Sequence, residues 1–178
     1  SLTTVALTRI DPQVNFDWAA GSPSPAIGPD TFSVLWLGRV QAQYDEVYTF
    51  YVRSSDGCRL WVRGRSVINQ WVNQTTTEWS GQLAMKAGRK SDLWLEYYEN
   101  TGDAVAELSW SSASQPKQII PMSQLYPNFD RRDNEPDGEV NHRDPDDDND
   151  GNDDEDDSDR DGDGIDSDTE TASGTDPD

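Results

Sequence analysis

The sequence predicts an all-β fold, a β-sandwich or barrel, for residues 1–129, followed by an acidic segment made only of loops. Two observations predict this fold class. Short runs rich in β-branched and aromatic residues recur from Phe32 onward at a spacing of about 8 to 12 residues, with turn sequences between them. No segment has the periodicity of an amphipathic helix, in which apolar residues recur about every 3.6 positions.

Aromatic residues and charges divide the chain near residue 129. All seven Trp, all six Tyr and all four Phe lie in residues 1–129, where 12 acidic and 10 basic residues give a formal charge of −2. Residues 130–178 hold 23 acidic and 4 basic residues, a formal charge of −19. Only the first part can bury a hydrophobic core of ordinary size. We therefore predict one domain at 1–129 and a second unit at 130–178, whose order must have another source.

Seven strands are predicted in the first part, and several of them alternate in polarity. Leu93, Leu95 and Tyr97 fall on one face of their strand, which is the pattern of a strand with one buried side. Residues 1–31 are expected to form an extended lead-in that packs across the sheets through Val14, Phe16 and Trp18. The predicted strand runs are "FSVLWLGRVQ", "YDEVYTFYVRS", "CRLWVRG", "SVINQW", "EWSGQLAM", "SDLWLEYYE" and "AVAELSWSS".

Composition also excludes several classes of function. A net charge of −21 repels nucleic-acid phosphates, and no apolar run approaches the roughly 20 residues that span a bilayer. The single histidine, His142, lies in the acidic part, and no nucleophile has a base at a recognisable spacing. Glu96 and Glu99 occupy ordinary strand and turn positions. We predict a non-enzymatic protein without a nucleic-acid partner or membrane span, and expect the chain to continue in both directions.

Four segments in order resemble the domain family named for the anthrax protective antigen. They are "FSVLWLGRVQA", "YTFYVRSSDGCRLWVRGRSVINQW", "LEYYENTGDAVAELSWSS" and "QIIPMSQLYP", and the resemblance covers most of residues 10–127. Members are β-sandwich or barrel modules of binary-toxin subunits, yeast flocculins and other adhesins, and appendages of bacterial glycosidases. The resemblance implies an extracellular, non-catalytic module that is secreted or displayed on a cell surface.

The resemblance also implies where a sugar would bind. In lectin members, two consecutive Asp after the "YTF" strand hold a calcium ion that chelates vicinal sugar hydroxyls, and the matching residues here are Ser55 and Asp56. A hydroxyl is a weaker calcium ligand than a carboxylate, and Arg63 adds a positive charge where members often have Asp. A hairpin turn explains Asp56 and its following glycine equally well. Asn100 and Asp103 are candidates for the second wall of a sugar pocket, and loop chemistry alone also accounts for them.

Two further side-chain types admit alternatives. Trp61, Trp71 and Trp79 could stack on sugar rings, since a flat indole suits a pyranose, or they could belong to the core. Cys58, the only cysteine, cannot form an internal disulfide. We expect it to fill a small apolar space in its strand.

The acidic segment has a period of thirteen residues. Rows that start at Asp133, Asp146 and Asp159 all have acids at positions 1, 3, 5 and 12 and Gly at position 6. A calcium loop uses these positions, with a backbone carbonyl at 7. The predicted calcium ligands are Asp133, Glu135, Asp137 and Asp144 in the first row, Asp146, Asp148, Asp150, Asn152 and Asp157 in the second, and Asp159, Asp161, Asp163, Ile165 and Glu170 in the third. The alternative is a disordered acidic linker.

The third row, followed by "GTDPD", is similar to thrombospondin type-3 repeats, and this resemblance covers residues 133–178. Such repeats wrap around a row of calcium ions and have little other core. Bound Ca²⁺ would also screen the charge of −19, because carboxylates a few ångströms apart repel one another. The resemblance implies an all-β domain followed by a loop-only calcium-repeat spacer.

Two functions therefore compete. The first is a carbohydrate-binding adhesion module whose partner is a glycan or polysaccharide. The second is a structural or processing domain of a larger secreted chain, as in a toxin-type assembly or a glycosidase accessory, with no sugar ligand.

Overall fold

A computed structural model describes residues 5–127, 145–146, 150–152, 157, 159 and 164–165. Its regular structure is β, apart from one turn of 3-10 helix at Met122–Gln124. The predicted all-β class is confirmed, and the seven predicted strands lie within two residues of the observed β2 to β8. The described residues form ten strands, namely β1 (Asn15–Ala19), β2 (Phe32–Gln41), β3 (Glu46–Ser54), β4 (Gly57–Val62), β5 (Arg65–Gln70), β6 (Thr77–Met85), β7 (Lys90–Glu99), β8 (Ala104–Ser111), β9 (Gln118–Ile119) and β10 (Leu125–Pro127).

The strands form two antiparallel sheets of five strands each. Sheet A has the order β1-β8-β3-β6, with the short β9 also paired to β8. Sheet B has the order β10-β2-β7-β4-β5. Strands β1, β9 and β10 were not predicted as strands, because runs of two to five residues give too few positions for alternation to be recognised.

The core lies between the sheets. Leu93, Leu95 and Tyr97 are buried as their alternation predicts, and the lead-in contributes a buried Val14. Phe16 stacks on the Trp18 ring at 4.9 Å between centroids. Apolar residues on alternate positions of both sheets exclude water from the space between them, which is the main stabilising term of such a sandwich.

The lead-in is more than a cover, because residues 15–19 of it form β1 at the edge of sheet A. Cys58 is fully buried in β4, and burial raises the pKa of its thiol. The expected role of Cys58 as a small apolar residue is therefore confirmed.

The hairpin-turn alternative for Asp56 and Gly57 is wrong, because β3 belongs to sheet A and β4 to sheet B, so these two strands do not pair. The chain crosses between sheets at this point and again between β7 and β8. Within the described ranges, no helix has the length and apolarity needed to cross a membrane.

Candidate functional site

Four connections meet at one end of the sandwich. The strand registers bring together the end of β1, the start of β2, the β3–β4 crossover, the end of β5 with the start of β6, and the β7–β8 crossover. We call this the loop end, and it consists of residues 20–31, 55–56, 71–76 and 100–103. Ser55, Asp56, Asn100 and Asp103, which were predicted as ligand-binding, all lie here.

Asp56 joins three of these connections through its carboxylate. Oδ1 accepts the backbone N–H of Gln74 at 3.0 Å, and Oδ2 accepts the backbone N–H groups of Asn100 at 2.7 Å and Thr101 at 3.3 Å. The Asp56 backbone N–H also donates to the Gln74 carbonyl at 2.8 Å. With φ at 52°, Asp56 has a left-handed backbone, which Asp tolerates better than most residues. Its conformation aims the carboxylate at backbone donors in two loops.

Ser55 is buried between the two sheets and has both hydrogen-bonding functions occupied. Its Oγ donates to Glu99 Oε2 at 2.9 Å and accepts the Val105 backbone N–H at 2.9 Å. The Tyr97 hydroxyl donates to the same Glu99 oxygen at 2.9 Å. Ser55 therefore connects the end of β7 to the start of β8.

Glu99 is the buried acid of this cluster, with 1% of its surface exposed. Burial raises the pKa of Glu99, and the charge of neighbouring Asp56 raises it further, against the lowering effect of the hydrogen bonds from Tyr97 and Ser55. Oε1 is buried and has no hydrogen-bond partner among the described residues. A protonated Glu99 could donate a hydrogen bond to the neighbouring Asp56 carboxylate, which fits the upward effect of Asp56 on the pKa of Glu99. Burial likewise raises the pKa of the Tyr97 hydroxyl.

The expectation that Glu99 occupies an ordinary turn position is wrong. A signal for its burial was present in the sequence, because Glu99 continues the alternation of Leu93, Leu95 and Tyr97 on the inward face of β7. Gln74 was also missed. No signal pointed to it, since its contact with Asp56 joins parts of the chain that only the two-sheet arrangement brings together.

The residues at the β3–β4 crossover do not fit a calcium ion of the kind the family resemblance implies. Calcium takes about six to eight oxygen ligands. Both Asp56 carboxylate oxygens already accept backbone N–H groups, and the Ser55 hydroxyl already donates one hydrogen bond and accepts another. In the described ranges, no group of three or more His, Cys, Asp or Glu side chains could hold a metal ion.

The other residues predicted for the sugar site are arranged differently. Asn100 meets Asp56 through its backbone amide, and its backbone carbonyl accepts the N–H of Thr31 at 3.1 Å. Asp103 is exposed in the β7–β8 crossover. Arg63 follows the far end of β4, a strand of six residues, and so lies about 20 Å from Asp56. The expected positive charge beside Asp56 is therefore not supplied by Arg63.

The three candidate tryptophans differ in exposure, and one of them is clearly exposed. Trp61 is buried at 8% exposure and Trp79 packs against the core, whereas Trp71 has 38% of its surface exposed. The Arg59 guanidinium lies over the Trp71 ring at 4.4 Å from its centroid. Tyr98 packs edge-on against the same indole at 4.6 Å between centroids. Trp71 is thus an exposed aromatic side chain held by two neighbours.

The surroundings of Trp71 extend toward Asp56. The Tyr98 hydroxyl donates to Asn73 Oδ1 at 2.7 Å, and Val72 is exposed beside Trp71. Gly57 makes room for the Tyr98 ring, because a Cβ at position 57 would lie 2.0 Å from the ring carbon Cε1. We call Arg59, Trp71, Val72, Asn73 and Tyr98 the Trp71 surface. Its position depends on the same crossover that contains Asp56.

Part of the predicted calcium segment is described. Asp146, Asp150, Asn152, Asp157, Asp159 and Ile165 belong to the described residues, whereas Asp133, Glu135, Asp137, Asp144, Asp148, Asp161, Asp163 and Glu170 lie outside them. The second and third rows repeat one contact. The Gly151 backbone N–H donates to Asp146 Oδ2 at 3.1 Å, and the Gly164 N–H donates to Asp159 Oδ2 at 2.9 Å. Both contacts join row position 6 to row position 1.

The glycines at row position 6 also share a backbone conformation, and one Asp at row position 1 has a second notable oxygen. Gly151 has φ at 96° and Gly164 at 89°, a region that glycine adopts without strain. Asp159 Oδ1, the oxygen not used by Gly164, is buried and has no hydrogen-bond partner among the described residues. In the third row, the Asp at position 1 thus has one carboxylate oxygen oriented by a backbone amide, and the other accepts no hydrogen bond from the described residues.

Two antiparallel sheets, with four of the connections between them gathered at one end, define a β-sandwich module. Residues 2–124 match the family model of the PA14 domain, and the chain therefore belongs to the PA14 domain family. The β-domain part of the sequence resemblance is confirmed at this level. The similarity of residues 133–178 to thrombospondin type-3 repeats stays a prediction, because these residues lie beyond the matched range.

Similar proteins fall into two groups. The Anti-sigma-I factor RsgI3 of Acetivibrio thermocellus is 52% identical over 120 residues, which is 67% of this chain and 19% of that protein. A solved anti-sigma factor domain-containing protein is 51% identical with a TM-score of 0.68, over 68% of this chain and 42% of the other. The PA14 sugar-binding domain from an RTX adhesin is 16% identical with a TM-score of 0.56, over 65% and 76% respectively. The chain thus spans less than half of the two anti-sigma factor proteins.

Proposed function

We propose that the β domain is a non-catalytic carbohydrate-binding module that binds a glycan at the Trp71 surface. The observation that carries the proposal is the exposure of Trp71 beside the loop end. An indole face offers a flat apolar area that suits the C–H face of a pyranose ring. Arg59 and Tyr98 hold the indole in place, so that little side-chain entropy is lost on binding.

Polar groups around the indole supply the second requirement of sugar recognition. Asn73 accepts the Tyr98 hydroxyl through Oδ1, which orients its amide with the N–H₂ group on the other side. The RTX adhesin domain with this fold is described as sugar-binding. At 16% identity that likeness extends to the fold alone, so the case for a glycan depends on the residues of this chain.

The domain is proposed to serve as the recognition part of a longer, secreted or surface-displayed chain. Its relatives at 52% and 51% identity are anti-sigma factor proteins that extend well beyond the matched region. Membership of a larger chain fits the second hypothesis, a structural or processing domain without a sugar ligand, as well as the first. Glycan binding discriminates between the two.

A polysaccharide panel separates the two hypotheses. The full chain should bind at least one polysaccharide in an affinity gel or array, and Trp71→Ala should weaken that binding by about five- to thirtyfold, given a stacking contribution of about 1–2 kcal/mol. Tyr44→Ala is the matched control. Tyr44 is an aromatic residue of similar exposure, 40%, in the β2–β3 connection at the opposite end of the sandwich. Absence of binding across the panel, or equal loss in both variants, would reject the Trp71 surface.

For the acidic segment we propose calcium binding that stiffens it into a spacer. The Gly at row position 6 donates to the Asp at row position 1 in both the second and the third row, and this recurrence after thirteen residues supports the proposal. In a calcium loop, the Asp at position 1 must present one oxygen to the ion while the Gly at position 6 lets the chain turn sharply. Asp159 and Gly164 have this relationship in the third row.

Calorimetry tests the calcium proposal. Titration of the full chain with Ca²⁺ should reveal two or three sites, and Glu170→Ala should remove one of them. Asp178→Asn is the control, because it removes one negative charge at a residue outside the predicted ligand set. No heat of binding at millimolar Ca²⁺, or the same loss in both variants, would reject the ligand assignment.

A further inference from the structure

We propose that the loop end is fixed by Asp56 and Ser55 themselves, with no calcium ion, so that ligand binding at this end is independent of calcium. The first half of this inference stands on the hydrogen bonds of the described residues. The second half rests on the proposed function. The two halves can fail separately, because the first is measured without any glycan.

The carboxylate of Asp56 does the work that a cation would do elsewhere. A bound ion draws together loops by collecting their oxygen atoms, which requires outward-facing acceptors. Here the relation is reversed, because Asp56 collects donors: backbone N–H groups of Gln74, Asn100 and Thr101 all point to it. A carboxylate has about four lone-pair sites, and three of them are used in this way.

The surroundings of position 55 disfavour a second carboxylate side chain next to Asp56. The Ser55 Oγ accepts from Val105 N–H and donates to Glu99. A carboxylate at position 55 would meet Glu99 Oε2 where the Ser55 hydroxyl now donates a hydrogen, so two acceptors would face each other in a buried space. A serine at this position is therefore suited to a loop that contains no metal.

Glu99 is the buried acid that contacts Ser55 and neighbours Asp56. Only 1% of its surface is exposed, so its carboxyl group does not face solvent water of the kind that usually completes a calcium shell. Its Oε2 receives two hydroxyl donors, from Ser55 and Tyr97, which connect it to both the crossover and the core of sheet B. The Glu99 carboxyl group thus has one oxygen that accepts hydrogen bonds from two side chains and a second oxygen that is buried.

Hydrogen exchange of the full chain tests the inference in the absence of glycan. Peptides that cover residues 54–60, 71–77 and 98–104 should show the same protection in millimolar Ca²⁺ and in a chelator. Peptides from the acidic segment are measured in the same samples, so a calcium effect there is read separately. Slower exchange in the three loop peptides when Ca²⁺ is present would overturn the inference.

A variant makes the test sharper. Asp56→Asn keeps the shape of the side chain but replaces one acceptor oxygen with an amide, and it should speed exchange at Asn100 and Thr101 by about ten- to a hundredfold. The factor should be equal in Ca²⁺ and in chelator. A factor seen only in Ca²⁺ would mean that the aspartate acts through an ion. Asp103→Asn, an exposed residue of the same loop end, is the control, and the wild-type comparison decides alone if Asp56→Asn does not fold.

Glycan binding provides the separate arm. If a polysaccharide binds, its affinity should be unchanged within about twofold by chelator, and a loss in chelator with unchanged loop protection would overturn only the second half of the inference. If no polysaccharide binds, the proposed function fails and the exchange result stands by itself.

Discussion

Asp56 and Asn100 lie 44 positions apart in the chain, and Oδ2 of the aspartate accepts the backbone N–H of the asparagine at 2.7 Å. The contact joins the β3–β4 crossover to the β7–β8 crossover, two of the connections at the loop end in which the chain passes from one sheet to the other. A charged acceptor inside such a junction is strong because the bond is charge-assisted and shielded from water. The geometry of the loop end depends on this pair.

Removal of the Asp56 carboxylate should lower stability. Asp56→Ala leaves three backbone N–H groups without their acceptor, and we expect the free energy of unfolding to fall by about 1–3 kcal/mol. Urea unfolding followed by Trp fluorescence reports on the β domain alone, because all seven Trp lie in it. Asp103→Ala should change stability by no more than about 0.5 kcal/mol. Equal effects in the two variants would contradict the structural role of Asp56.

Glu99 should make stability depend on pH. Its pKa in the folded protein is raised above the ordinary value of 4.5 by burial and by Asp56, so the folded state holds this proton more tightly than the unfolded state. Its contribution to stability is fully present below about pH 4.5 and is lost as the pH rises through the raised pKa. Glu99→Gln, a neutral isostere, should therefore match the wild type in acid and become more stable than it as the pH increases.

The measurement is a series of unfolding curves for both proteins from acid to weakly alkaline pH. The acidic end serves as the internal control, since both side chains are neutral there. A difference between Glu99→Gln and wild type that does not change with pH would contradict a raised pKa.

Gly57 should be intolerant of a side chain. A Cβ at this position would lie 2.0 Å from Cε1 of Tyr98, so Gly57→Ala must displace that ring and with it the packing against Trp71. We expect a loss of about 1–3 kcal/mol in stability and a changed Trp fluorescence spectrum. Gly28→Ala is the matched control, because its Cβ would meet only the Asp30 carbonyl oxygen at 3.7 Å. An unchanged spectrum in Gly57→Ala would mean that the Tyr98 ring is free to move aside.

Gly164 should matter for calcium through its backbone. Its φ of 89° is strained for any residue with a Cβ, and its N–H orients Asp159 Oδ2. Gly164→Ala should weaken one calcium site by about five- to thirtyfold, the equivalent of about 1–2 kcal/mol. Gly174→Ala, which lies outside the thirteen-residue register, should leave the calorimetric titration unchanged. If the acidic segment binds calcium only through its overall charge, neither substitution should change the calorimetric titration.

The alternation of side chains was enough to predict much of the sandwich. Strand β2 begins and ends where the run "FSVLWLGRVQ" does, and Leu93, Leu95 and Tyr97 are buried as expected. The same alternation contained the signal for Glu99, but an acid at an inward position is usually discounted in favour of a turn. The partners that make its burial tolerable, Ser55 and Tyr97, could be recognised only once the strands were in register.

Local sequence patterns were enough to predict the all-β class, strands β2 to β8, the candidate loop residues and the thirteen-residue register, because each depends on residues that lie near one another in the chain. The tertiary structure decided which sheet each strand joins, that Ser54–Gly57 crosses between sheets, and that Asp56 meets Gln74 and Asn100. The same contacts leave Trp71 exposed, Trp79 half-buried and Trp61 buried. These are contacts between distant parts of the chain, and their energies exist only after both sheets have closed over a common core.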